Sequence, residues 1–582
     1  MRSERVAVLG GGVAGLSAAH ELLERGFEVS VFEARSSLGG KAKSQWVSGS
    51  ARGGRRDLPG EHGFRFFPAF YRHVIDTMAR IPFDKSRSVA GNLRPAGEAG
   101  VALANDQPVT RFLRRLPANT TDLADTLFLT FAALGFSQRD VLLFSERMLR
   151  YYTSCPKRRL EQYEGVTWWD YLGGDRYSES FRHHLAAVPR TMVAMDSRLG
   201  SARTIGDVSL QLLTDYGSDG DKVDRVLNGP TSDQWLTPWR SYLARLGVRF
   251  HLDAAIERLF VEDSRVTGAK IAGQQTPIEA DYFVLATPIE ATRRLISAEL
   301  AAADASLARI RKMPQSKFDR LTNWMNGLQL YLRHDVPIVP GHLLFPDAPW
   351  AITAISQPQF WRENGAFEDR FGDGETRGLI SIDLSDWHTP GTYVQKCARD
   401  CTPEEVVNEV WRQLKAGVNS GRGQLLRDDD LLGYHLDEEL VRLQGGGFMN
   451  RAPLLVHPPG SWADRPEATT ELDNLVIAAD YVRTHTDIAS MEGANEAARR
   501  AVNAILERSA HPASPCGVWP LHEPAIFQRA RELDAKLYAS RLTRGRHAFD
   551  LLPVQSASAL VKAAEYAVSG SLWGSEAKQR AA

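Results

Sequence analysis

The chain has 582 residues, a formal net charge of -1 and 43% hydrophobic residues. This length exceeds what one ordinary hydrophobic core serves, so we expect two or more domains. The near-neutral charge and the lack of a concentrated run of Lys and Arg argue against nucleic acid, and no nucleic-acid partner is predicted.

The four cysteines are spread along the chain in a way that fits a reducing compartment better than a disulfide framework. Cys397 and Cys401 have the spacing of one helix face, but no second ligand pair follows them, so we predict packing roles and no metal site. The apolar N-terminal stretch resembles a secretory signal, yet its three consecutive glycines and the polar helix pattern behind them argue against one. We therefore predict a cytoplasmic protein.

No apolar run reaches the roughly 18 to 20 residues that a membrane span needs. The best one, "LFLTFAALGF" at 127–136, is typical of a buried helix, with an interfacial helix at a bilayer as the alternative. Near the C-terminus Arg541, Arg544 and Arg546 leave contact with a lipid surface open, although a charged solvent face is commoner. Peripheral membrane association is therefore kept as an alternative.

The N-terminal segment "RVAVLGGGVAGLSAAHELLERGFEVSVFEA" predicts a strand, a glycine turn, a helix and a second strand. Val6 to Leu9 form a short apolar run, while Leu16 and Leu23 belong to a set of apolar residues at helical spacing. Gly26 is placed to end that helix. The pattern indicates a βαβ unit.

A glycine fingerprint lies inside this unit. Gly10, Gly12 and Gly15 match G-x-G-x-x-G, whose glycines allow a tight turn, a close pyrophosphate and close helix–strand packing. The N-terminus of the helix offers N–H donors to phosphates, and Glu33 at the end of the second strand is placed to accept hydrogen bonds from an adenosine ribose. The predicted dinucleotide contacts at the two ends of this unit also include Val13, Ala14, Ala34 and Arg35.

The next segment, "ARSSLGGKAKS", resembles the second glycine motif of the FAD-dependent amine oxidase and carotenoid desaturase superfamily. In that superfamily a glycine pair and a basic residue follow the acidic strand end, and Gly39, Gly40 and Lys41 hold these places. Lysine stands where the family more often has arginine, which keeps the charge but loses the bidentate geometry. The resemblance implies FAD, and we expect it to be noncovalent.

The stretch "GEHGFRFFPAFYRHV", residues 60–74, resembles the desaturase segment that runs under the flavin ring. The resemblance implies that Gly63 and Phe64 lie beside the isoalloxazine, with Arg65 near its polar edge. Without the family, the aromatic residues of this stretch predict only a core cluster. His62 is a candidate general base by its position, although a structural histidine is the commoner interpretation.

Two later segments resemble the same fold. The resemblance implies that Ile256 gives backbone contacts to adenine and that Ala286 ends an apolar strand at the cofactor. It further implies that Asp480 bonds the ribityl or phosphate region, and that the helix beginning at Met491 directs its N-terminus at the flavin O2, where it stabilises negative charge.

The residues just before that helix bear on the substrate. Flavin amine oxidases usually place a tyrosine or tryptophan there as one wall of an aromatic cage, whereas this chain has Ala489 and Ser490. The string "ASMEGA" resembles the plant- and cyanobacterial-type phytoene and ζ-carotene desaturases. The resemblance therefore implies an extended apolar substrate.

The order of the segments predicts an α/β fold with a discontinuous Rossmann-type FAD-binding domain of the glutathione reductase-like, amine oxidase type. A mixed α+β substrate domain and a helical C-terminal extension complete the chain. Most of the aromatic residues of the interval 301–465 are expected in the core of the substrate domain, namely Trp324, Trp350, Phe360, Trp361 and Trp387. The predicted boundaries are 1–90, 235–300 and 466–510 for the FAD-binding domain, 91–234 and 301–465 for the substrate domain, and 511–582 for the extension.

The predicted function is FAD-dependent desaturation of an apolar isoprenoid by hydride transfer to flavin N5, with a quinone or oxygen as electron acceptor. One alternative is a flavin amine oxidase acting on an amine or secondary metabolite. Another is a non-redox protein on the same scaffold, either a flavin isomerase or a prenyl-binding carrier resembling the Rab GDP-dissociation inhibitors.

Overall fold

The computed structural model describes residues 3–104, 108–113, 136–214, 223–419, 423–542 and 544–551. The apolar stretch at 127–136 lies outside these ranges apart from Phe136. The part of the predicted C-terminal extension beyond residue 551 also lies outside them.

The described residues contain 23 strands. They are β1 (Arg5–Leu9), β2 (Glu28–Phe32), β3 (Ser44–Val47), β4 (Leu58–Glu61), β5 (Phe66–Phe67), β6 (Leu93–Pro95), β7 (Glu98–Val101), β8 (Thr110–Leu113), β9 (Arg225–Leu227), β10 (Arg249–His251), β11 (Ile256–Glu262), β12 (Arg265–Ile271), β13 (Tyr282–Leu285), β14 (Thr322–Asn323), β15 (Asn326–Leu332), β16 (Gly341–Phe345), β17 (Ile352–Ser356), β18 (Gly378–Leu384), β19 (Leu431–Leu436), β20 (Leu440–Arg442), β21 (Phe448–Asn450), β22 (Leu454–Leu455) and β23 (Leu475–Ile477).

The same ranges contain 19 α-helices, several of them a single turn. They are α1 (Val13–Glu24), α2 (His73–Arg80), α3 (Gln138–Thr153), α4 (Pro156–Arg158), α5 (Trp168–Leu172), α6 (Glu179–Val193), α7 (Ala202–Thr214), α8 (Thr237–Arg245), α9 (Ile289–Leu295), α10 (Ala298–Ala303), α11 (Ala305–Lys312), α12 (Gln315–Phe318), α13 (Pro358–Trp361), α14 (Phe367–Arg370), α15 (Pro403–Val418), α16 (Ser461–Asp464), α17 (Met491–Arg508), α18 (Gln528–Ala539) and α19 (Ala548–Leu551).

A five-stranded parallel sheet in the order β10-β2-β1-β13-β23 forms the centre of the cofactor-binding fold. Strands β13 and β23 are apolar and wholly buried, as expected when helices cover both faces of a parallel sheet. Helix α1 packs against α17, so the N-terminal βαβ unit and the predicted last helix belong to one core. This sheet confirms the predicted Rossmann-type α/β class, while the exact domain boundaries stay a prediction.

A seven-stranded mixed sheet, in the order β19-β15-β18-β17-β16-β7-β8, forms a second core. The interval 91–234 supplies two strands of this sheet, β7 and β8, and β7 pairs in parallel with β16. The alternation in these strands is too short and too rich in glycine and alanine to read from the sequence. The prediction of a core location is confirmed for Trp350, Phe360, Trp361 and Trp387, which are buried, whereas Trp324 is half-buried.

A helical unit made by α3, α5, α6 and α7 packs around buried tyrosines and tryptophans. Part of the C-terminal extension, α18, docks on it through a buried ion pair between Asp534 and Arg158, 2.7 Å apart. On this helix Leu533 is 51% exposed, whereas the charged Asp534 is buried. In the described part of the chain no helix is both long and apolar enough to cross a bilayer.

Candidate functional site

The carboxyl ends of the central parallel strands meet at one edge of the sheet. Strand β1 ends at Leu9, β2 at Phe32, β13 at Leu285 and β23 at Ile477, and each is followed by a segment that carried a sequence motif. Ligands of open parallel sheets bind outside this edge. It is therefore the candidate cofactor site.

The glycine turn after β1 is shaped by close contacts. Gly10 has a φ of 124°, and a Cβ on it would lie 2.3 Å from the carbonyl oxygen of Ala286. A Cβ on Gly15 would lie 1.9 Å from the carbonyl oxygen of Gly10. At Gly12, in contrast, the nearest heavy atom to an added Cβ is the Cα of Gly40, at 3.8 Å. The first and third glycines therefore serve packing, while the second leaves the backbone open to a phosphate.

Helix α1 begins at Val13, and no side chain caps its N-terminus. The first N–H groups of a helix have no intrahelical acceptor, so those of Val13 and Ala14 are available to an outside partner. A phosphate fits this position, because the positive end of the helix dipole adds to the hydrogen bonds.

The Glu33 carboxylate lies beside this turn and is buried. It accepts the N–H of Gly11 at 2.7 Å and that of Arg35 at 3.0 Å, one on each oxygen. Each carboxylate oxygen accepts two hydrogen bonds, so each keeps one lone pair for a ribose hydroxyl. Ala34 is exposed beside it.

The segment before β11 runs next to Glu33. The Ala254 N–H donates to the Glu33 carbonyl at 2.8 Å, and the Asp253 N–H donates to the Arg35 carbonyl at 3.1 Å. Ile256 begins β11 directly after this segment and is half-buried. These bonds bring the predicted adenine and ribose contacts to the same end of the sheet.

The second glycine motif lies against the first. The Gly39 N–H donates to the Gly11 carbonyl at 2.8 Å, and Gly12 bridges to Gly39. A Cβ on Gly40 would lie 3.1 Å from the Cα of Gly12. The neighbouring Lys41 donates its Nζ to the carbonyl of Pro453. The two motifs therefore form one continuous backbone surface.

Glu290 of α9 was not singled out from the sequence, because it belongs to no motif. Burial raises the pKa of its carboxyl, the charge of Lys41 opposes that shift, and the charge of Asp480 adds to it. Lys41 and Asp480, predicted from segments more than 400 residues apart, are thus brought into one electrostatic neighbourhood.

Asp480 follows β23 and is half-buried, and its carboxylate makes no hydrogen bond with any residue that the structure describes. Helix α17 begins at Met491, half-buried, where the Ser490 hydroxyl caps it by accepting the Gly493 N–H at 3.1 Å. The free carboxylate and the helix N-terminus both lie beyond the same sheet edge as the glycine turn.

The loop before α17 is held by a buried ion network. Asp487 has a φ of 47° and binds Arg465 on one oxygen and Arg203 on the other, at 2.5 Å from the latter. Burial opposes the charge of Asp487, but the two guanidinium groups outweigh it and hold its pKa at about 2. His457 Nδ1 donates to the Asp487 carbonyl at 2.9 Å, while Arg465 donates to its Nε2 at 2.8 Å. Sequence motifs gave no signal for this network, because its members come from distant segments.

The segment 60–65 packs against the mixed sheet. Gly63 and Phe64 are buried, and the Arg65 guanidinium donates to the Gly63 carbonyl at 2.5 Å. Phe64 belongs to an aromatic cluster with Trp361, whereas Phe67 belongs to the core of the parallel sheet. The core-cluster interpretation and the predicted position beside a ring thus both fit this segment.

His62 lies in a buried pair. Its Nδ1 is 2.6 Å from Asp437 Oδ2, and the same carboxylate accepts from Gln45 at 2.7 Å and from Asn326 at 2.6 Å. These contacts are those of a structural histidine, and a role as general base stays a prediction.

Tyr71 lies where the sequence lacks an aromatic cage residue. Burial raises the pKa of this phenol, the Ser490 side chain opposes that shift, and the charge of Glu492 adds to it. Its ring packs edge-on against Phe70 at 5.1 Å. A tyrosine from a different segment therefore lies beside Ala489 and Ser490, which sequence spacing does not reveal.

These residues fit a dinucleotide cofactor: a turn that only glycine can form, an uncapped helix and a carboxylate with spare acceptor capacity meet at one sheet edge. Together the fold and the site define a nucleotide-dependent oxidoreductase of the α/β class. A sequence model of the family described as flavin containing amine oxidoreductase matches residues 13–506. The chain belongs to this family, and its cofactor is a flavin.

The curated relatives are distant but long. A zeta-carotene desaturase from Synechocystis sp. is 23% identical over 542 residues, covering 87% of this chain and 98% of that protein. A carotenoid phi-ring synthase from Streptomyces griseus is 26% identical over 510 residues, covering 86% of this chain and 88% of that protein. They support the predicted superfamily.

Solved structures share the fold. A cyclohexylamine oxidase from Brevibacterium oxydans has a TM-score of 0.55 at 17% identity, covering 88% of this chain and 100% of that one. An oxidoreductase from Methanosarcina mazei has a TM-score of 0.55 at 14% identity, covering 86% and 100%. The family match confirms the predicted flavin oxidoreductase as a class, and its substrate is a separate question.

Proposed function

We propose that this protein is an FAD-dependent oxidoreductase that desaturates an extended apolar isoprenoid by hydride transfer to flavin N5. The adenosine half of FAD is supported by Glu33, which keeps acceptor capacity beside the glycine turn. Noncovalent binding is supported by the absence of any cysteine in the sequence from 466 to 510.

The observation that carries the substrate assignment is the entry to α17. Ala489 and Ser490 are half-buried and offer no aromatic ring. A substrate amine would find the Tyr71 ring on one side but no second aromatic wall at positions 489 and 490 to hold its charge by cation–π contact. An apolar chain needs only surface that excludes water, and the relatives named as zeta-carotene desaturases agree with such a substrate.

When bound, the flavin supplies the hydride acceptor. In this proposal the chain itself binds and orients. Gly12 and the start of α1 hold the pyrophosphate, Glu33 holds the ribose, and Asp480 bonds the middle of the cofactor. The N-terminus of α17 stabilises negative charge on the ring. Apolar walls exclude water from the reacting carbon atoms.

The test is an absorbance spectrum of the purified protein before and after anaerobic incubation with phytoene, squalene and a panel of amines. Bleaching of the oxidised flavin band by an isoprenoid is expected. Bleaching by amines alone, with peroxide formed on admission of oxygen, contradicts the substrate assignment in favour of an amine oxidase. A quinone added after bleaching should restore the band if it is the electron acceptor.

A variant pair sharpens this test. Ala489→Tyr places an aromatic ring at the entry to α17 and should slow bleaching by the isoprenoid at least tenfold, because it narrows the apolar space. The matched control is Ala539→Tyr, which adds the same ring at an exposed position on α18. Equal rates for the two variants would remove the entry to α17 from the substrate site.

A further inference from the structure

A cluster of buried carboxyl groups lies beneath the segment 63–65, and the site described so far does not use it. Glu61 ends β4, Asp383 lies on β18 and Asp437 follows β19, and all three are buried. The charged groups that face them are Arg65 and His62. Three acids thus share two basic partners in one small volume.

Asp383 is placed by two glycines. It lies opposite Gly327 of β15 and Thr353 of β17 in the sheet register. A Cβ on Gly327 would lie 2.6 Å from the Glu61 carbonyl, and a Cβ on Gly63 would lie 2.6 Å from Asp383 Oδ1. Because neither position carries a side chain, the carboxyl of Asp383 reaches the Gly63 backbone directly.

The three acids differ in the donors that stabilise their charge. Glu61 accepts the Thr231 N–H at 2.9 Å and the Ser44 hydroxyl at 2.8 Å. Asp437 has the donors of His62, Gln45 and Asn326 described above. Asp383 accepts only the Phe64 N–H, at 3.3 Å, among the described residues. The charged form of Asp383 is therefore the least supported of the three.

The pKa directions agree with this count of donors. Burial raises the pKa of Asp383 to about 7, with Arg65 opposing the shift and the charges of Asp437 and Glu61 adding to it. Burial also raises the pKa of Glu61, but Arg65 and the Thr231 N–H oppose it. For Asp437 burial is outweighed, chiefly by His62, and its pKa is lowered.

A small cavity borders the cluster at Glu61. Glu61, Arg65 and Ser381 are among its lining residues, and its volume is ≈ 10 Å³, about the space that one ordered water needs. Glu61 Oε2 and Arg65 Nε have no hydrogen-bond partner among the described residues. One water between these two atoms would satisfy both, and Ser381 is two residues from Asp383 on the same face of β18.

We propose that Asp383 is a redox-linked proton acceptor: it binds one proton when the flavin is reduced, so that the negative charge in this buried region stays constant. The proposal rests on the proposed function and on the predicted position of Gly63 and Phe64 beside the flavin ring. A hydride carries two electrons and one proton and adds one negative charge to the site. A second proton, released by the neighbouring substrate carbon or taken from water, neutralises the Asp383 carboxylate.

The first test measures the two-electron midpoint potential of the holoenzyme against pH, with a chemical reductant and no substrate. Each proton taken up with two electrons adds about 30 mV per pH unit to the slope, since one pH unit is a tenfold change in proton activity. We expect Asp383→Asn to lose this added slope above about pH 7, while below it the wild type already carries the proton. The variant Asp429→Asn, at an exposed position, should keep the wild-type slope.

Equal slopes for wild type and Asp383→Asn would overturn the proposal. Loss of the added slope in Glu61→Gln alone would also overturn it, because the proton would then bind Glu61, the other acid whose pKa is raised. Because no substrate is present, failure to desaturate an isoprenoid does not affect the measurement, and the two ideas fail separately.

A second measurement keeps the proposal testable if Asp383→Asn does not fold. The infrared spectrum of reduced minus oxidised wild-type protein above about pH 7 should gain a carboxylic acid C=O band that shifts in D₂O. The cofactor-free protein should show the same band growing as pH falls through about 7. A reduced-minus-oxidised spectrum without a carboxylic acid band overturns the proposal.

Discussion

At the scale of single residues, two glycines with positive φ show two different reasons for excluding a side chain, namely backbone strain alone and backbone strain with a steric clash. Gly10 and Gly26 have φ values of 124° and 87°, but an added Cβ meets the Ala286 carbonyl at Gly10 and nothing within 4 Å at Gly26. A side chain at Gly26 has only the backbone penalty, about 1 kcal/mol. A side chain at Gly10 must also move the end of β13.

We predict that Gly10→Ala abolishes flavin binding, because β1 and β13 must separate at the proposed pyrophosphate position. Gly26→Ala should keep full flavin content and lose about 1 kcal/mol of unfolding free energy. Flavin content per protein after purification, together with denaturant unfolding, measures both effects. A Gly10→Ala protein with full flavin content would contradict the assignment of this turn.

We predict that Glu33→Gln weakens FAD binding by about tenfold to a hundredfold, because hydrogen bonds to a charged acceptor contribute about 1.5–3 kcal/mol. Glu28→Gln on the same strand is the matched control, since Glu28 pairs at the surface with Arg249. Fluorescence titration of the cofactor-free protein gives both dissociation constants. Equal constants would remove Glu33 from the cofactor site.

At the scale of elements, the loop before α17 depends on a histidine kept neutral by its surroundings. Burial and the charge of Arg465 together lower the pKa of His457 to about 3, and the charge of Asp487 opposes this shift. Its Nε2 accepts from Arg465, so a proton there would remove a hydrogen bond and place two cations together. Protonation of His457 at low pH is therefore expected to destabilise this loop.

A depressed histidine pKa gives stability that is complete above the unfolded pKa and is lost as pH falls toward the folded value. Between about pH 6.5 and pH 3 we predict that the unfolding free energy of the wild type falls more steeply than that of His457→Gln. The difference in slope should reach up to about 1.4 kcal/mol per pH unit. Glutamine keeps one donor and one acceptor but does not titrate. Urea unfolding at several pH values measures the difference.

The exposed His334 provides the control for this experiment, because His334→Gln should leave the wild-type pH dependence unchanged. Parallel pH curves for wild type and His457→Gln would show that the histidine is not buried neutral in solution.

Local patterns predicted those elements whose neighbours lie close in the chain. The spacing from Val6 to Gly26 predicted β1 and α1. The start of α17 was predicted at Met491, but its last turn carries no strong signal that marks its end at Arg508. Boundaries of this kind depend on capping rather than on periodicity.

The candidate site was predictable only where a motif exists. The glycines, Glu33 and Asp480 carry recognisable spacing, and the structure brings their segments to one sheet edge. Asp383, which lies on a predicted strand, becomes notable only through Gly63, 320 residues away in the numbering. Contacts over such distances are set by tertiary packing, which local sequence does not encode.

At the scale of the whole molecule, the C-terminal extension is fastened to two separate cores. The Trp519 N–H donates to His73 at 2.9 Å beside α17, and the Arg499 guanidinium lies 5.2 Å from the Trp519 ring centroid. Further along, Asp534 pairs with Arg158 in the helical unit. The extension thus contacts both the parallel-sheet core and the helices.

We predict that Asp534→Ala lowers the unfolding free energy by about 3–5 kcal/mol, because it leaves the buried Arg158 without its partner. Glu532→Ala, an exposed change on the same helix, should alter it by less than about 0.5 kcal/mol. Denaturant unfolding of the two variants gives the comparison. Equal stabilities would mean that the extension does not hold the helical unit.

The strand order of the central sheet also determines when this sheet can form during biosynthesis. Its first strand, β1, is made within the first ten residues, but its last, β23, ends at residue 477. At about 5–20 residues per second, a ribosome needs roughly half a minute to a minute and a half between them. During this interval the nascent chain carries apolar strands without their neighbours, and we expect chaperones to shield them. The complete cofactor-binding sheet can form only after β23 has been made, so we expect the flavin to be captured after that point.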